Sequence, residues 1–219
     1  MTALANIQTE YKYSLQDLGS TLESVNATAT TAVRDAAITQ AFNWYCRRIP
    51  QIKCASVANV STGYYTVPTD WTQQSRIVSV EYPLDQSPPT YLIPYGPNPD
   101  VRMARTTTGM RYYIDPNPAG TFRLTYTCDH TLTASASTLD SRHEAVIGRM
   151  AAAIACAEFS ARYANSVSNN LDAVNYRSKA QEFETARKML IAQAETEIRR
   201  DEASIAYQTD PAALKKGWK

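Results

Sequence analysis

The sequence predicts a mainly α protein: a helical bundle of N-terminal helices and two long C-terminal helices, with a β-rich insertion and an extended C-terminal tail. Three observations lead to this prediction. Residues 14–48 and 139–206 are rich in Ala, Glu, Arg and Gln at helical spacing. Residues 51–130 instead hold nine of the eleven prolines and eight of the fourteen tyrosines. An Asp-Pro pair at 210–211 then ends the last helix and begins a short polar tail.

The composition is that of a folded protein with clear internal boundaries. Of the 219 residues, 44% are hydrophobic and 20% are charged, which is enough apolar side chain to form a core. The shifts in composition divide the chain into an N-terminal helical segment of the bundle at 1–50, a β-rich insertion at 51–138, a C-terminal helical pair of the bundle at 139–207 and an extended tail at 208–219.

Charge and targeting signals narrow the function classes. The 22 basic residues balance 21 acidic ones, so the chain as a whole lacks the basic footprint of nonspecific nucleic-acid binding. Its start has no positively charged region followed by an apolar run, and no stretch approaches the ~18 apolar residues of a membrane span. We expect a protein that is made and folded in cytoplasm and does not enter a membrane.

The first helical segment contains two predicted helices. "SLQDLGSTLES" indicates a short helix at 14–24, and "TTAVRDAAITQAFNWYCRRIP" indicates a longer one that Pro50 stops. The longer helix carries one stripe of residues at helical spacing, formed by Val33, Ala37, Ala41, Trp44, Tyr45 and Arg48. Such a stripe requires a partner helix.

The insertion shows the alternation of strands. In "TFRLTYTC" apolar and polar residues alternate from Phe122 to Cys128, which is the period of a half-buried strand. "RIVSVEY" and "MRYYI" read similarly, and "YYTVP" is a weaker strand. "PLDQSPPTYLIPYGPNPDV" holds too many prolines for a central strand and predicts turns and a projecting loop. "DPNPAG" predicts a tight connection before the last strand.

The C-terminal helical pair follows. One helix runs from Ser141 to about Tyr163, with alanine on several faces, and a second runs from Leu171 to about Tyr207. At ~1.5 Å per residue the second would be about 50 Å long, more than one small domain can cover. A tryptophan flanked by lysines ends the tail, and tryptophan is favoured in interfaces.

The sequence lacks the motifs of common enzyme chemistry. His143 and Glu144 begin an H-E-x-x-H zinc motif, but Ile147 stands where the second histidine is required. No G-x-S-x-G turn occurs, and the seven glycines form no phosphate-binding loop. Buried, reduced thiols suit the separated cysteines better than zinc or disulfides: Cys46, Cys54, Cys128 and Cys156. We therefore expect no enzyme, no cofactor and no metal.

Both histidines fall in one stretch, "CDHTLTASASTLDSRHEAV". A strand ends at Cys128, a Ser/Thr-rich connection follows, and Asp140 or Ser141 caps a helix with Glu144 placed as in a capping box. We interpret the two histidines as residues of a joint between sheet and helix, rather than as ligands or catalysts.

Four stretches resemble the head-to-tail adaptor (connector) proteins of tailed bacteriophages: "YYTVPTDW", "IVSVEYPLDQSPPTY", "YYIDPNPAGTFRLTYTCDHTL" and "TLDSRHEAVIGRMAAAIACAEFSARYA". In that family an N-terminal helical segment, a β-rich insertion and a C-terminal helical pair occur in this order. The resemblance covers about residues 10–205 and lies in the pattern of elements and turns, without a catalytic signature.

The resemblance implies a structural protein of the virion neck, made in the host cytoplasm. It implies a ring, commonly of twelve copies, that docks beneath the portal protein, continues the DNA channel without reading DNA sequence, and presents a platform to the next neck or tail protein. By position, the residues that would contact the portal or a neighbouring subunit are Leu214, Lys215, Lys216 and Trp218. Arg102 and Arg105, in the projecting loop, would face the lumen or the next component, unless they are simply solvated.

Three other functions stay open from the sequence. The first is another virion part, a tail-tube or tail-completion protein, which localisation in the virion neck would separate. The second is a cytosolic helical interaction module, which predicts a monomer or dimer that does not need its tail. The third is an enzyme using His130 or His143 with Cys128, which predicts lost activity but an intact fold when both histidines are replaced.

Overall fold

The computed structural model describes residues 2–15, 27–94, 98–107, 109–166 and 173–209. The fold is mixed, with 47% helix and 22% strand in two antiparallel sheets. The prediction of a mainly α fold, a helical bundle with two long C-terminal helices, is therefore wrong. The physical reason is that the proline- and tyrosine-rich segment buries a hydrophobic core of its own. The sheets are therefore a folded unit in themselves and not an insertion in a helical bundle.

The chain forms two compact units. The helical unit comprises Met1–Ile49 and His130–Glu202, and the β unit is built on Pro50–Asp129. The helical unit is thus assembled from two stretches that lie far apart in sequence, with the chain of the β unit running between them.

The first helix, α1, spans Ala3–Leu15. It buries one face at a spacing of four residues, formed by Ile7, Tyr11 and Leu15. The sequence places a short helix at 14–24 instead, and residues 16–26 lie outside the described part of the chain. The position of α1 follows from burial of this apolar face against the rest of the helical unit, a tertiary effect that local propensity does not contain.

Three longer helices complete the helical unit. α2 spans Ala27–Arg48, α3 spans Ser141–Ser166 and α4 spans Ala173–Thr209. The predicted helix before Pro50 is confirmed as α2, and it ends there because proline has no N–H to continue the helical hydrogen bonds. Among the residues that the structure describes, no helix combines the length and apolar character needed to span a bilayer.

α1 approaches α3 closely because α3 carries a glycine at the crossing. A Cβ atom added to Gly148 would stand 2.7 Å from the Cβ of Glu10 and 2.9 Å from the carbonyl oxygen of Ile7. Contacts this short do not occur between real side chains, so no larger residue fits without moving α1. Gly148 therefore fixes the spacing of these two helices at the cost of a poorer helix former.

α4 buries one stripe of side chains against the helical unit, formed by Phe183, Leu190, Ala194 and Ile198. The Phe183 ring packs between Phe159 and Tyr163 of α3, at centroid distances of 5.7 and 5.6 Å. Arg149 of α3 joins two helices, since it donates to Glu10 of α1 at 3.0 Å and to Glu197 of α4. Helices α1, α3 and α4 thus share polar as well as apolar contacts.

The β unit contains seven strands in the described residues. In chain order they are β1 (Gln51–Val57), β2 (Tyr64–Thr66), β3 (Ile77–Glu81), β4 (Tyr91–Leu92), β5 (Val101–Thr106), β6 (Gly109–Ile114) and β7 (Phe122–Cys128). One sheet has the order β1-β7-β3-β4 and the other the order β2-β6-β5, with every pairing antiparallel.

Both sheets contribute to one core of aromatic and aliphatic side chains: Tyr65, Ile77, Val80, Val101, Tyr112, Ile114, Phe122, Leu124, Tyr126 and Cys128. Tyr65 stacks on Tyr112 at 5.3 Å and meets Phe122 edge to face at 4.9 Å. These rings belong to strands of both sheets. Their burial is the main reason the segment folds as a unit.

The strand predictions hold where residues alternate and fail where prolines flank a short strand. β2, β3, β6 and β7 occur where the sequence predicts them, and "DPNPAG" connects β6 to β7. The predicted projecting loop is wrong in part, because it contains β4 and ends as β5 begins. Leu92 pairs with Val80 at the sheet edge, where neighbouring prolines do not interrupt a ladder. Arg102 and Arg105 consequently lie in a strand and not in a loop.

Candidate functional site

The stretch that holds both histidines is a capped joint, as the sequence predicts. The Asp140 side chain accepts a hydrogen bond from the backbone N–H of Arg142 at 3.0 Å, which identifies Asp140 as the N-cap of α3. The Arg142 side chain also donates to this carboxylate, and the two contacts lower the pKa of Asp140 from 3.8 to about 2. Glu144 does not complete a capping box but accepts from the Asn6 amide of α1 at 2.6 Å.

His143 links three helices through a chain of hydrogen bonds that is buried at Tyr45 and half-buried at Asp201. Its Nε2 lies 2.6 Å from Oδ2 of Asp201 on α4, and its Nδ1 lies 2.6 Å from the hydroxyl of Tyr45 on α2. In the neutral ring, Nε2 donates to the Asp201 carboxylate, which as an anion only accepts, and Nδ1 accepts from the Tyr45 hydroxyl. Burial raises the pKa of Tyr45, which keeps its phenol protonated as the donor.

His130 anchors the loop that leads into α3. Its Nε2 lies 3.0 Å from the carbonyl oxygen of Ile49, and its Nδ1 lies 3.0 Å from the carbonyl oxygen of Thr138. The ring also packs on Tyr45, with centroids 5.3 Å apart. In either tautomer, the ring N–H donates to one of the two carbonyls. His130 therefore ties the end of α2 to the segment before α3.

The contacts of this joint hold three helices together. Tyr45 is 1% exposed and His143 is 6% exposed, whereas the Asp201 side chain at the end of this hydrogen-bond chain is 35% exposed. Within the described residues, no group of three His, Cys, Asp or Glu side chains is placed to hold a metal ion. Cys46, Cys128 and Cys156 are buried, whereas Cys54 is exposed, which corrects the expectation that all four thiols are buried. Burial raises the pKa of the Cys156 thiol to about 11.

The two arginines singled out from the sequence lie on opposite faces of β5. Arg102 pairs with Tyr113 on the outer face of the β2-β6-β5 sheet, and Arg105 pairs with Met110 on the face that also carries the core residue Val101. Arg102 and Arg105 are both exposed. The structure does not bring them together.

The outer face of the β2-β6-β5 sheet contains a cluster that sequence reasoning missed. Tyr64, Tyr113 and Arg102 form one row across the three strands, and Thr66, Arg111 and Ala104 form the next row on the same face. Tyr64 is 43% exposed and packs against Tyr113 with ring centroids 5.0 Å apart. The sequence signal was the alternation in "MRYYI", which assigns Arg111 and Tyr113 to one face, but only the strand order adds Tyr64 and Arg102.

α4 carries an exposed face opposite its buried stripe. Met189, at its centre, is 59% exposed. The neighbouring Thr185 and Thr196 hydroxyls donate to the carbonyl oxygens of Gln181 and Ala192, one turn earlier on the same helix. These hydroxyls are satisfied within the helix, so this face offers methyl and methylthio groups more than hydrogen-bonding groups.

The predicted contact residues of the tail, Leu214, Lys215, Lys216 and Trp218, lie outside the described residues. The structure therefore brings together the residues of the joint and of the outer sheet face, and the tail stays a prediction from the sequence. A scan against protein-family models and a search of curated proteins each returned no match for this chain.

Proposed function

We propose that this chain is a structural virion protein of a tailed phage, a head-to-tail adaptor that forms a ring between the portal and the neck or tail and continues the DNA channel. The observation that carries the proposal is the order of elements along the chain: α1 and α2, then seven described strands, then α3 and α4. This is the order of segments in the adaptor family that the sequence resembles.

The exposed face of α4 supports repeated contact between subunits. At ~1.5 Å per residue its 37 residues extend about 55 Å. The described part of the helical unit leaves Met189 exposed, and the Thr185 and Thr196 hydroxyls beside it are satisfied within the helix. A neighbouring copy that covers this face with a different surface makes a heterologous contact, and such contacts close into a ring when the rotation between subunits permits.

The partners of the ring follow from the family. The portal protein is the proposed partner of the tail, through Leu214, Lys215, Lys216 and Trp218, and a neck or tail protein is the proposed partner on the far side. DNA passes through the channel without sequence recognition, and neither a cofactor nor catalysis is part of this function.

The first test is molar mass. Light scattering after size exclusion, over a series of concentrations, is expected to show a large closed oligomer. Met189→Glu places a charge in the proposed contact and is expected to shift the mass towards the monomer. Gln73→Glu adds the same charge at an exposed position of the β unit and is expected to leave the oligomer intact. A wild-type monomer that stays monomeric when mixed with its portal would exclude the adaptor.

The second test is the portal itself. The full chain is expected to be retained by the tagged portal protein encoded in the same genome. A chain that lacks residues 208–219 is expected not to be retained. Trp218→Ala should weaken retention more than Lys219→Ala, since tryptophan contributes most in buried interfaces. Equal retention of all three variants would show that the tail does not contact the portal. Electron microscopy of the virion neck would separate an adaptor from a tail-tube or tail-completion protein.

A further inference from the structure

The outer face of the β2-β6-β5 sheet is cationic, although the protein as a whole is nearly neutral. The hairpin strands and their turn, Val101–Ile114, contain three arginines and no acidic residue. Of these arginines, Arg102 and Arg111 lie on the outer face. In the part of the chain that the structure describes, neither has a carboxylate within ion-pair distance, and the Arg102 Nε contact to the Pro99 carbonyl is long, at 3.4 Å. The guanidinium groups are therefore available to an anion.

An aromatic pair lies beside these arginines. Tyr64 and Tyr113 touch through their rings, and Tyr64 keeps 43% of its surface exposed. Gly63 makes this arrangement possible: its φ is +69°, and a Cβ there would stand 2.9 Å from the Tyr113 ring. The backbone is held in this position by Gly63 itself, whose N–H donates to Val60 and whose carbonyl accepts from the N–H of Ile114.

The remaining side chains on the outer face of this sheet are small. Thr66, Ala104, Thr106 and Gly109 occupy the other outer positions of the three strands, and none of the outer positions holds Leu, Ile, Val or Phe. Aromatic residues and arginine are also enriched in protein interfaces. An exposed ring beside two arginines that lack a described carboxylate partner, on the face of a sheet, is however the arrangement by which sheet domains stack unpaired bases and hold phosphates.

We propose that this face binds single-stranded nucleic acid, independently of whether the protein forms a ring. Tyr64, and behind it Tyr113, provide the surface on which a base stacks. Arg102 and Arg111, in the same two rows, contact the phosphates on either side of that base. The ligand is single-stranded because stacking on Tyr64 requires a base that is not inside a duplex. Binding is independent of base identity, since every base has a face to stack.

The experiment is fluorescence anisotropy of the full chain with fluorescein-labelled oligo(dT), and with the same strand annealed to oligo(dA). The single strand is expected to bind more tightly than the duplex. Tyr64→Ala should weaken binding about tenfold, whereas Tyr64→Phe keeps the ring and should stay within about twofold of wild type. Circular dichroism confirms that each variant is folded.

The arginines are tested by charge-matched variants. Arg102→Ala with Arg111→Ala should weaken binding and reduce the slope of log affinity against log salt by about 0.7 for each arginine removed. Arg177→Ala with Arg199→Ala removes the same charge from exposed positions on α4 and should change neither quantity. Gly63→Ala should lower affinity but keep the salt slope, because it displaces the Tyr113 ring and leaves the guanidinium groups in place.

Three outcomes would overturn the inference. The first is a wild-type protein that binds oligo(dT) no better than the double arginine variant does. The second is equal affinity for the single strand and the duplex with no effect of Tyr64→Ala, which indicates unspecific charge attraction. The third is loss of portal or neck-protein binding, but not of oligo(dT) binding, in Tyr64→Ala and the double arginine variant, which identifies the face as a protein-docking surface.

Discussion

The helical unit and the β unit fill their interiors in different ways. At the centre of the helical unit a polar side chain, His143, is buried with both ring nitrogens bonded, and Arg149 ties α1, α3 and α4 at its margin. The β unit has a core of aromatic, aliphatic and thiol side chains. Its buried carboxylate, Glu81 of β3, pairs with Arg123 of the neighbouring strand β7 at 2.8 Å, so this polar contact joins strands that the sheet already pairs.

The difference follows from the geometry of the elements. Helices that already satisfy their own backbone groups can slide and rotate against each other, so buried hydrogen bonds and one close approach at Gly148 select a single arrangement. Strands are fixed in register by their ladder hydrogen bonds, so side chains between the two sheets and along paired strands stabilise an arrangement that the ladders already select. Equal substitutions in the two units should therefore have unequal effects.

The largest effect is expected in the aromatic core. Phe122→Ala should lower the free energy of unfolding by about 3–5 kcal/mol, because it removes a fully buried ring that meets Tyr65 edge to face and leaves a cavity. Urea denaturation measures this loss. Phe122→Leu keeps most of the volume and should cost clearly less, and equal losses for both variants would mean that packing is not the source of stability.

The next effect compares two buried tyrosines. Tyr45→Phe leaves Nδ1 of His143 without its donor and should cost about 1–3 kcal/mol. Tyr112→Phe removes a buried hydroxyl that has no hydrogen-bond partner among the described residues, so it should be neutral or stabilising. Thermal denaturation of both variants gives the comparison, and a destabilised Tyr112→Phe would reveal a partner for that hydroxyl.

Two glycines give a smaller contrast. Gly148→Ala gains about 1 kcal/mol of helix propensity but must push Glu10 and the Ile7 backbone away, a strain of about 1–3 kcal/mol, so it should be destabilising overall. In the β unit a Cβ at Gly120 meets no atom within 4 Å. Gly120→Ala should therefore be stabilising by about 0.4–1 kcal/mol, through the entropy of the unfolded chain. Chemical denaturation measures both changes in the free energy of unfolding. Opposite signs for the two variants would support the close approach of α1 and α3.

The smallest effect is expected at the cap of α3. Asp140→Asn keeps a capping oxygen but loses the charged contact with Arg142, and solvent screening of this exposed pair makes the loss the smallest of the series. The pKa of Asp140 is lowered in the folded state, so its contribution is present above pH 3.8 and is lost as the pH falls to about 2. The free energies of unfolding of wild type and Asp140→Asn should therefore converge as the pH falls through this range. A difference that stays constant with pH would contradict the charged contact between Asp140 and Arg142.

Local sequence patterns predicted the parts of the fold that local forces decide. Alternation identified β7, and Pro50 marked the end of α2, because each depends on neighbours in the chain. The Asp140 cap was predictable for the same reason. The fold class was wrong because patterns of alternation do not reveal how much core seven short strands can bury once they pair.

The contacts that decide the sites join residues far apart in sequence. Tyr45, His143 and Asp201 come from three helices, and no spacing rule connects them. The outer sheet face is similar, since Tyr64 reaches Tyr113 only through the pairing of β2 with β6. Arg102 was noticed for its charge, yet its neighbours were hidden until the strand order was known.

The place where the chain leaves and re-enters the helical unit has a consequence for evolution. His130 holds the Ile49 carbonyl oxygen at 3.0 Å, and the first and last strands of the β unit begin and end opposite each other, at Gln51 and Cys128. Because the two ends of this segment lie close together, the segment can be inserted or replaced at a single place in the chain. A change in the length of the segment Pro50–Asp129 would therefore leave the path of the described helices unchanged, so the sheets can diversify while the helices are kept.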